Sequence, residues 1–295
     1  MRRSSWKRGT RARWDLGSVL PRLTRRVGAR ASFGRVRCPL VDLSPLQLVL
    51  LCVAALTAGM VDAIAGGGGL ISLPALLSTG LPPHVALGTN KGQSVFGAFA
   101  ALVRFWRAGL VRGGLAAITF PLGLVGALLG AGLVLLLRPE VLKPVVLVLL
   151  VVVAVFLAFR RGPPPGARPE PPLARLRALG ALIALLIGTY DGFFGPGTGT
   201  FLIIAFSGLL GHSLTHASAD AKVVNFATNL SAVCLFAWRG LVLWHVALPM
   251  AAAQFTGAWL GAHFAVRGGD RLVRKVVLGV VVALVIKLSH DVLSA

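Results

Sequence analysis

Two stretches of this sequence combine charged residues and glycines inside otherwise apolar chain. In the first, Asp62 precedes four consecutive glycines, Gly66 to Gly69, and Lys91 follows. Consecutive glycines interrupt a helix because each one loses much backbone entropy when it is ordered. Charged side chains within a membrane are costly unless they are paired or hydrated, and they commonly mark transport pathways. The stretch therefore has the chemistry of a site for an ion or polar substrate within the membrane.

A second stretch repeats this combination later in the chain. Asp191 precedes a glycine-rich segment, residues 195–199, and Lys222 follows it. The two aspartates are 129 residues apart and the two lysines 131 apart, so one two-residue insertion aligns the stretches. Gly-x-x-x-Gly-Ala segments that begin at Gly126 and Gly257 match at the same spacing of 131, and such segments favour close helix packing. The pattern predicts two homologous halves.

The composition indicates a membrane protein with several spans. Of the 295 residues, 56% are hydrophobic and only 13% charged, whereas a soluble protein carries roughly a quarter charged residues. Many apolar runs approach or reach the roughly 17–25 residues that cross a bilayer. We predict an all-α, polytopic membrane helical bundle of about eight transmembrane helices, with glycine-broken helices in spans 1 and 5.

The distribution of charge and proline predicts four segments. They are a basic disordered N-terminal tail (1–43), a first transmembrane repeat (44–160), a Pro-rich cytoplasmic linker (161–177) and a second transmembrane repeat (178–295). Nearly half of the net charge of +21 lies in the tail. For a protein of the cell membrane, this distribution predicts an N-terminus on the cytoplasmic side rather than nucleic-acid binding. Translation from a start near Val41 is an alternative that would leave the tail out.

The basic loops disagree with a simple count of spans. Four crossings in each half would give both halves the same orientation and place the basic loop 267–275 outside, against the positive-inside rule. An extra crossing at Thr200–Leu210 would return this loop to the cytoplasm.

The charged and glycine-rich stretches favour the binding of an anion. Helices that begin after the glycines would direct free N–H groups and partial positive charge at a bound anion, and the lysines would add full charges. Asn, Thr and Ser side chains beside the lysines, Ser94 among them, are candidate donors. The predicted substrate-binding residues are Gly66, Gly67, Gly68, Gly69, Thr89, Asn90, Lys91, Gly195, Gly197, Gly199, Lys222 and Asn225.

Each charged residue also has a purely structural interpretation. Asp62 and Asp191 are candidates for coupling a proton, or for pairing a lysine and capping the next half-helix. The lysines could instead extend to the membrane surface. The histidines form no metal-binding set, and no cofactor is predicted. We expect His84, His212 and His216 at the membrane interface. We expect His245 and His263 to form hydrogen bonds within the bundle.

The first stretch resembles the TauE/SafE family. The resemblance lies in Asp-Ala-Ile-Ala-Gly-Gly-Gly-Gly-Leu-Ile from Asp62, in Pro-Ala-Leu-Leu from Pro74 and in Gly-Thr-Asn-Lys from Gly88. The second half echoes the Asp, the Gly-x-Gly and the Lys, and the resemblance covers about residue 43 to the C-terminus. It implies a polytopic inner-membrane protein that transports sulfite, sulfonates or related organosulfur anions, and it leaves the particular anion open.

These patterns together predict a secondary transporter of a small organosulfur or other organic anion, working by alternating access. The alternatives are an anion channel and an intramembrane redox or assembly factor. The redox alternative needs a cysteine pair, and Cys38, Cys52 and Cys234 form no Cys-x-x-Cys motif. The expected partners are the anion, with or without a coupling proton or ion, and the lipid bilayer, but no nucleic acid. A homo-oligomer is compatible with the sequence, and no enzyme motif is present.

Overall fold

The computed structural model describes residues 43–159 and 171–293, and every regular element in these ranges is helical. The tail predicted for residues 1–43 lies almost wholly outside them. Of the linker predicted for 161–177, residues 173–177 already belong to a helix. The helices are α1 Pro45–Ala65, α2 Gly69–Ser78, α3 Pro83–Arg107, α4 Gly113–Leu136, α5 Pro139–Phe159, α6 Leu173–Phe193, α7 Thr198–Leu210, α8 Leu214–Trp238 and α9 Trp244–Leu293, which is kinked at Gly269.

Apolar helices make this fold a helical membrane bundle. In the described part of the chain, α1, α4, α6 and α8 are each long and apolar enough to cross a bilayer. Large apolar side chains such as Leu46, Leu136 and Leu173 are exposed on their surfaces. This surface suits contact with lipid, because aliphatic side chains are favourable in the hydrocarbon region.

Helix α1 begins and ends at clear chemical signals. Ser44 and Gln47 exchange side-chain and backbone hydrogen bonds in a capping box, and Pro45 occupies the first helical turn. The helix stops at Gly66, whose φ of 79° lies in the left-handed region. The chain then restarts as α2 at Gly69, so the first predicted helix break is present.

The second predicted break separates α6 from α7. Helix α6 ends at Phe193 and α7 begins at Thr198. Between them, Gly195 and Gly197 have φ values of 98° and 83°, which side chains other than glycine rarely adopt. Both breaks therefore fall on the glycines that the sequence singles out.

Glycines also form the closest helix contacts. On α4, Gly126 and Gly130 lie against backbone oxygens of α6, and a Cβ at either position would overlap them. On α9, Gly257 and Gly261 lie in the same way against the backbone of Leu56 and Met60 in α1. The prediction that both Gly-x-x-x-Gly segments are packing faces is confirmed. Since the numbering rises together in α1 and α9, the two helices run parallel.

Hydrogen bonds between elements fix the direction of the central helices. The backbone N–H of Leu243, just before α9, donates to Thr89 near the start of α3. The backbone N–H of Arg112, just after α3, donates to Asp220 near the start of α8. Leu243 also follows the end of α8, so the start of α3 lies near the end of α8, and the end of α3 lies near the start of α8. Helices α3 and α8 therefore run antiparallel. We call the two ends of the bundle the Thr89 end and the Arg112 end.

The short helices α2 and α7 each turn back towards the end of the bundle at which the preceding helix, α1 or α6, began. Leu210 at the end of α7 packs in the cluster that holds Leu115 and Leu176, so α6 enters from the Arg112 end and α7 turns back to it. Leu76 at the end of α2 shares the opposite cluster with Leu51 of α1. The expectation of an extra crossing at Thr200–Leu210 is wrong, because the chain reverses at the break.

The basic segment after residue 266 also lies at the Arg112 end. Asp270 accepts hydrogen bonds from the backbone N–H groups of Leu214 and Thr215, and Arg104 contacts His263. The expectation that four spans per half would place this segment opposite the other basic loops is therefore wrong. Residues 104–112 and the segment after residue 266 lie at the same end of the bundle.

Candidate functional site

The two helix breaks meet inside the bundle. The backbone oxygen of Gly66 accepts a hydrogen bond from the N–H of Thr200 at 3.2 Å. The hydroxyl of Thr200 donates to the backbone oxygen of Ala65 at 2.8 Å. A Cβ on Gly66 would overlap the backbone of Gly199, so this approach requires glycine. The segments that interrupt α1–α2 and α6–α7 thus form one junction.

Two buried ion pairs flank this junction. The ammonium group of Lys222 lies 2.8 Å from Oδ2 of Asp62, and that of Lys91 lies 2.9 Å from Oδ1 of Asp191. Each pair therefore joins a lysine from one stretch to the aspartate of the other. Neither lysine extends to the membrane surface, since the side chain of Lys91 is 3% exposed and that of Lys222 is 0% exposed. The lysines are balanced by carboxylates.

The same aspartates contact the starts of the short helices. Oδ1 of Asp62 accepts a long hydrogen bond of 3.4 Å from the N–H of Gly68, just before α2. Oδ1 of Asp191 accepts one of 2.9 Å from the hydroxyl of Thr198, the first residue of α7. A carboxylate at a helix N-terminus is favoured by the helix dipole. Lysine pairing and contact with the next half-helix, which the sequence left as structural alternatives, are both observed.

A small polar cavity lies between the breaks. The centre of a water molecule can reach about 30 Å³ of it, which is room for water or a small ion. Backbone glycines, amides and both aspartates form its wall. The lining residues are Asp62, Gly66, Gly69, Asn90, Lys91, Ser94, Asp191, Gly195, Thr198, Gly199, Asn225, Asn229 and Gln254.

Seven of the twelve residues predicted to bind substrate line this cavity, namely Gly66, Gly69, Asn90, Lys91, Gly195, Gly199 and Asn225. The remaining glycines, Gly67, Gly68 and Gly197, belong to the breaks without lining it. Lys222 does not line the cavity but pairs with Asp62, which does. Thr89 serves the fold instead, because its hydroxyl accepts the N–H of Leu243.

Three lining residues were not predicted from the sequence. Thr198, Asn229 and Gln254 are buried polar residues in apolar helices, which is the signal that could have identified them. Asn229 and Gln254 are offset by 131 residues from an alanine and a glycine, respectively. Because the equivalent positions carry no polar side chain, comparing the two stretches does not single out Asn229 or Gln254.

Two histidines were assigned to the wrong environment. His245 was expected in a hydrogen bond within the bundle, but it is exposed on the surface. His212 was expected at the membrane interface, but it is buried, and its Nδ1 lies 3.0 Å from Oδ2 of Asp220 without the alignment of a hydrogen bond. The ring also stacks on Phe206. The loop between α7 and α8 is folded into the bundle. The position of His212 near the end of a predicted span does not reveal this burial.

A known protein family matches most of this chain. A sequence model described as sulfite exporter TauE/SafE matches residues 51–288, which contain both breaks and both ion pairs. The chain belongs to the TauE/SafE family. No solved structure matches the chain.

Curated relatives agree with the TauE/SafE assignment. A "probable membrane transporter protein ORF9" of Sinorhizobium sp. is 38% identical over 85% of this chain and 95% of its own length. A probable membrane transporter protein of Haemophilus influenzae is 40% identical over 83% and 95%. The probable membrane transporter protein YfcA of Escherichia coli K12 is 35% identical over 84% and 91%. These names support a membrane transporter rather than an enzyme.

Proposed function

We propose that this protein is a secondary transporter that moves a small organosulfur or other organic anion across the cytoplasmic membrane by alternating access. The observation that carries the proposal is the polar cavity at the junction of the two breaks, flanked by two buried Lys–Asp pairs. The family description names sulfite export, and sulfite, although inorganic, shares its negatively charged SO3 group with the organic sulfonates.

The cavity offers an anion partial positive charge rather than a free cation. Gly69 and Thr198, the first residues of α2 and α7, both line it, so two helix N-termini open onto one space. The amides of Asn90 and Asn225 add hydrogen-bond donors. Because the lysines are balanced by carboxylates, the helix dipoles and amides set the sign of the potential.

We further propose eight membrane-inserted segments arranged as two inverted repeats, residues 44–160 and 178–295. Equivalent contacts support this proposal. Thr89–Leu243 and Asp220–Arg112 correspond residue by residue at a spacing of 131. In inverted repeats, substrate sites lie where the repeats meet near the bilayer midplane, and one repeat rocks against the other. The cross-paired lysines and aspartates lie at such a meeting point.

The positive-inside rule favours the Arg112 end as the cytoplasmic face, since it holds the basic residues Arg104, Arg112 and Arg267. Helix α1 runs parallel to α9, which starts at the Thr89 end, so Pro45 belongs to the outer face in this orientation. The cytoplasmic N-terminus that the basic tail predicts requires the opposite orientation. Cysteine labelling of residues at the two ends decides between these orientations.

Flux in proteoliposomes tests the proposed function. The purified protein is first screened by thermal melting with sulfite, thiosulfate, sulfonates, sulfoacetate and carboxylates, because a ligand of the folded form raises Tm. Counterflow is then measured with an anion that stabilises the protein. Lys91→Ala and Lys222→Ala should each abolish it, and the exposed Lys143→Ala is the matched control. Counterflow that survives both changes together would show that the site is elsewhere.

The same assay separates the alternatives. A carrier shows saturable counterflow, in which anion inside accelerates entry of labelled anion, whereas a channel does not. A redox factor would depend on cysteine, but Cys52 and Cys234 are free thiols on α1 and α8. Replacing both with serine should leave counterflow intact.

A further inference from the structure

The two ion pairs at the cavity differ in how their carboxylates are used. Asp62 engages both oxygens, Oδ1 with the N–H of Gly68 and Oδ2 with Lys222, and it is 18% exposed. Asp191 uses only Oδ1, which lies 2.9 Å from both Lys91 and the hydroxyl of Thr198. Oδ2 of Asp191 is buried and has no hydrogen-bond partner among the described residues.

An unpartnered, buried carboxylate oxygen is an unfavourable arrangement for the charged form. A proton on Oδ2 removes the charge, and the new hydroxyl can donate to water or to an anion in the cavity. The side chain of Asp191 lines that cavity and is 4% exposed. A proton bound there is thus held beside the proposed substrate.

The charged and titratable groups around Asp191 are few. Lys91 of α3 contacts it, and Tyr190 precedes it in α6. The cavity also brings in Asp62 of α1, which pairs with Lys222 of α8. Helices α4 and α7, which pack against α6, contain no titratable residue. With two lysines and two aspartates charged, the group is formally neutral.

We propose that Asp191 is the proton-binding group of the transport cycle and that proton and anion bind together. This inference rests on the proposed transport function and adds its coupling. A proton from solvent forms an O–H bond at Oδ2, and Lys91 keeps its own protons. The site then carries one uncompensated positive charge, which the anion neutralises. Release of both species on the other side restores the Lys91–Asp191 pair, which closes the empty site for its return.

The cycle predicts symport of one proton with each anion. Methanesulfonate is the probe, because it stays anionic at all working pH values and carries no proton itself. In proteoliposomes with acid outside, it should accumulate about tenfold for each unit of pH difference. A pH dye trapped inside should report acidification when methanesulfonate is added. Equal distribution without acidification would overturn the coupling.

Substitution of the carboxylate tests its assignment. Asp191→Asn has the size of the protonated group, so methanesulfonate counterflow should persist and lose its pH dependence, while acid-driven accumulation falls to onefold. Asp62→Asn should lower the rate but retain acid-driven accumulation. The reverse assignment, with coupling lost only in Asp62→Asn, would overturn the proposal.

Two further outcomes keep the proposals apart. If Asp191→Asn fails to fold, Asp191→Glu, which retains a titratable carboxyl, should retain acid-driven accumulation, and its loss there would count against the proposal. Absence of wild-type counterflow at every pH, for methanesulfonate and for every anion that raises Tm in the screen, would contradict the proposed function itself. Counterflow without proton movement would contradict only the coupling.

Discussion

At the scale of residues, the site depends on glycines that let two backbones touch. Gly66 approaches Gly199 where no side chain fits, and Gly195 leaves room for the ammonium of Lys91, which would lie 3.1 Å from a Cβ at that position. The charged groups can come together because the breaks that expose helix ends also remove side-chain bulk.

We expect Gly66→Ala to disrupt the junction. Alanine at a φ of 79° would be strained by about 1–2 kcal/mol, and its Cβ would also overlap Gly199. Gly80→Ala is a matched control, since Gly80 has a φ of 81° but no atom within 4 Å of the added Cβ. Thermal unfolding in detergent should show a much larger fall in Tm for Gly66→Ala. Equal falls would mean that backbone strain alone matters.

The sequence identifies the charged residues but not their partners. Lys91, Lys222, Asp62 and Asp191 all stand out as charges in apolar chain. Aligning the two stretches matches aspartate with aspartate and lysine with lysine, whereas the fold joins each lysine to the aspartate of the other stretch. Such pairing depends on how helices assemble, which a spacing along the chain does not contain.

A double-mutant cycle tests whether Lys222 and Asp62 act as a pair. Lys222→Ala alone leaves the partly buried carboxylate of Asp62 without its cation, which we expect to cost about 3 kcal/mol of unfolding free energy, the low end of the range for buried pairs. Lys222→Ala combined with Asp62→Ala should cost less than the sum of the single changes, measured by unfolding of the purified protein. Additive effects would show that the two groups do not interact.

At the scale of elements, the breaks were predictable and the directions of the short helices were not. Glycine runs indicate where α1 and α6 stop, because glycine is a poor helix former. Whether the next helix continues or turns back is decided by packing. Leu76 and Leu210 reach opposite clusters, so α2 and α7 reverse towards opposite ends. The apolar character of Thr200–Leu210 suits either course.

The contact of α4 with α6 provides an element-scale prediction. Gly130 lies against the backbone oxygen of Thr189, and a Cβ there would overlap it. Gly130→Ala should therefore destabilise the protein, whereas Gly132→Ala on the same helix has open space and should gain up to about 1 kcal/mol from helix propensity. Thermal melting of the two variants compares them. A stabilised Gly130→Ala variant would contradict the packing face.

At the scale of the whole molecule, α3 and α8 run in opposite directions, and the two ends of the bundle differ in charge. Basic residues collect at the Arg112 end, where the segment after residue 266 joins Arg104 through His263. Residues 104–112 and the segment after residue 266 thus share one face, as the positive-inside rule expects of basic loops. The proposed inverted repeats would suit a site that opens to each side in turn.

Cysteine labelling of a cysteine-free background tests the two-ended arrangement. Ser78→Cys and Trp238→Cys should share one face, and Gly113→Cys and Arg267→Cys the other. With the Arg112 end in the cytoplasm, a membrane-impermeant thiol reagent should label only the first pair in intact cells. Labelling of the second pair alone would reverse the orientation and support a cytoplasmic N-terminus. Labelling that divides either pair would contradict the antiparallel arrangement.

Location of a bound anion tests the central claim most directly. Selenite has the shape and charge of sulfite, and its selenium atom scatters anomalously, so a crystal grown with selenite can show where the anion lies. We expect an anomalous peak between the two breaks, within contact of Lys91 and the starts of α2 and α7. A crystal in which selenite occupies only other positions, with the cavity between Gly66 and Gly195 empty, would show that the junction of the breaks is not the anion site.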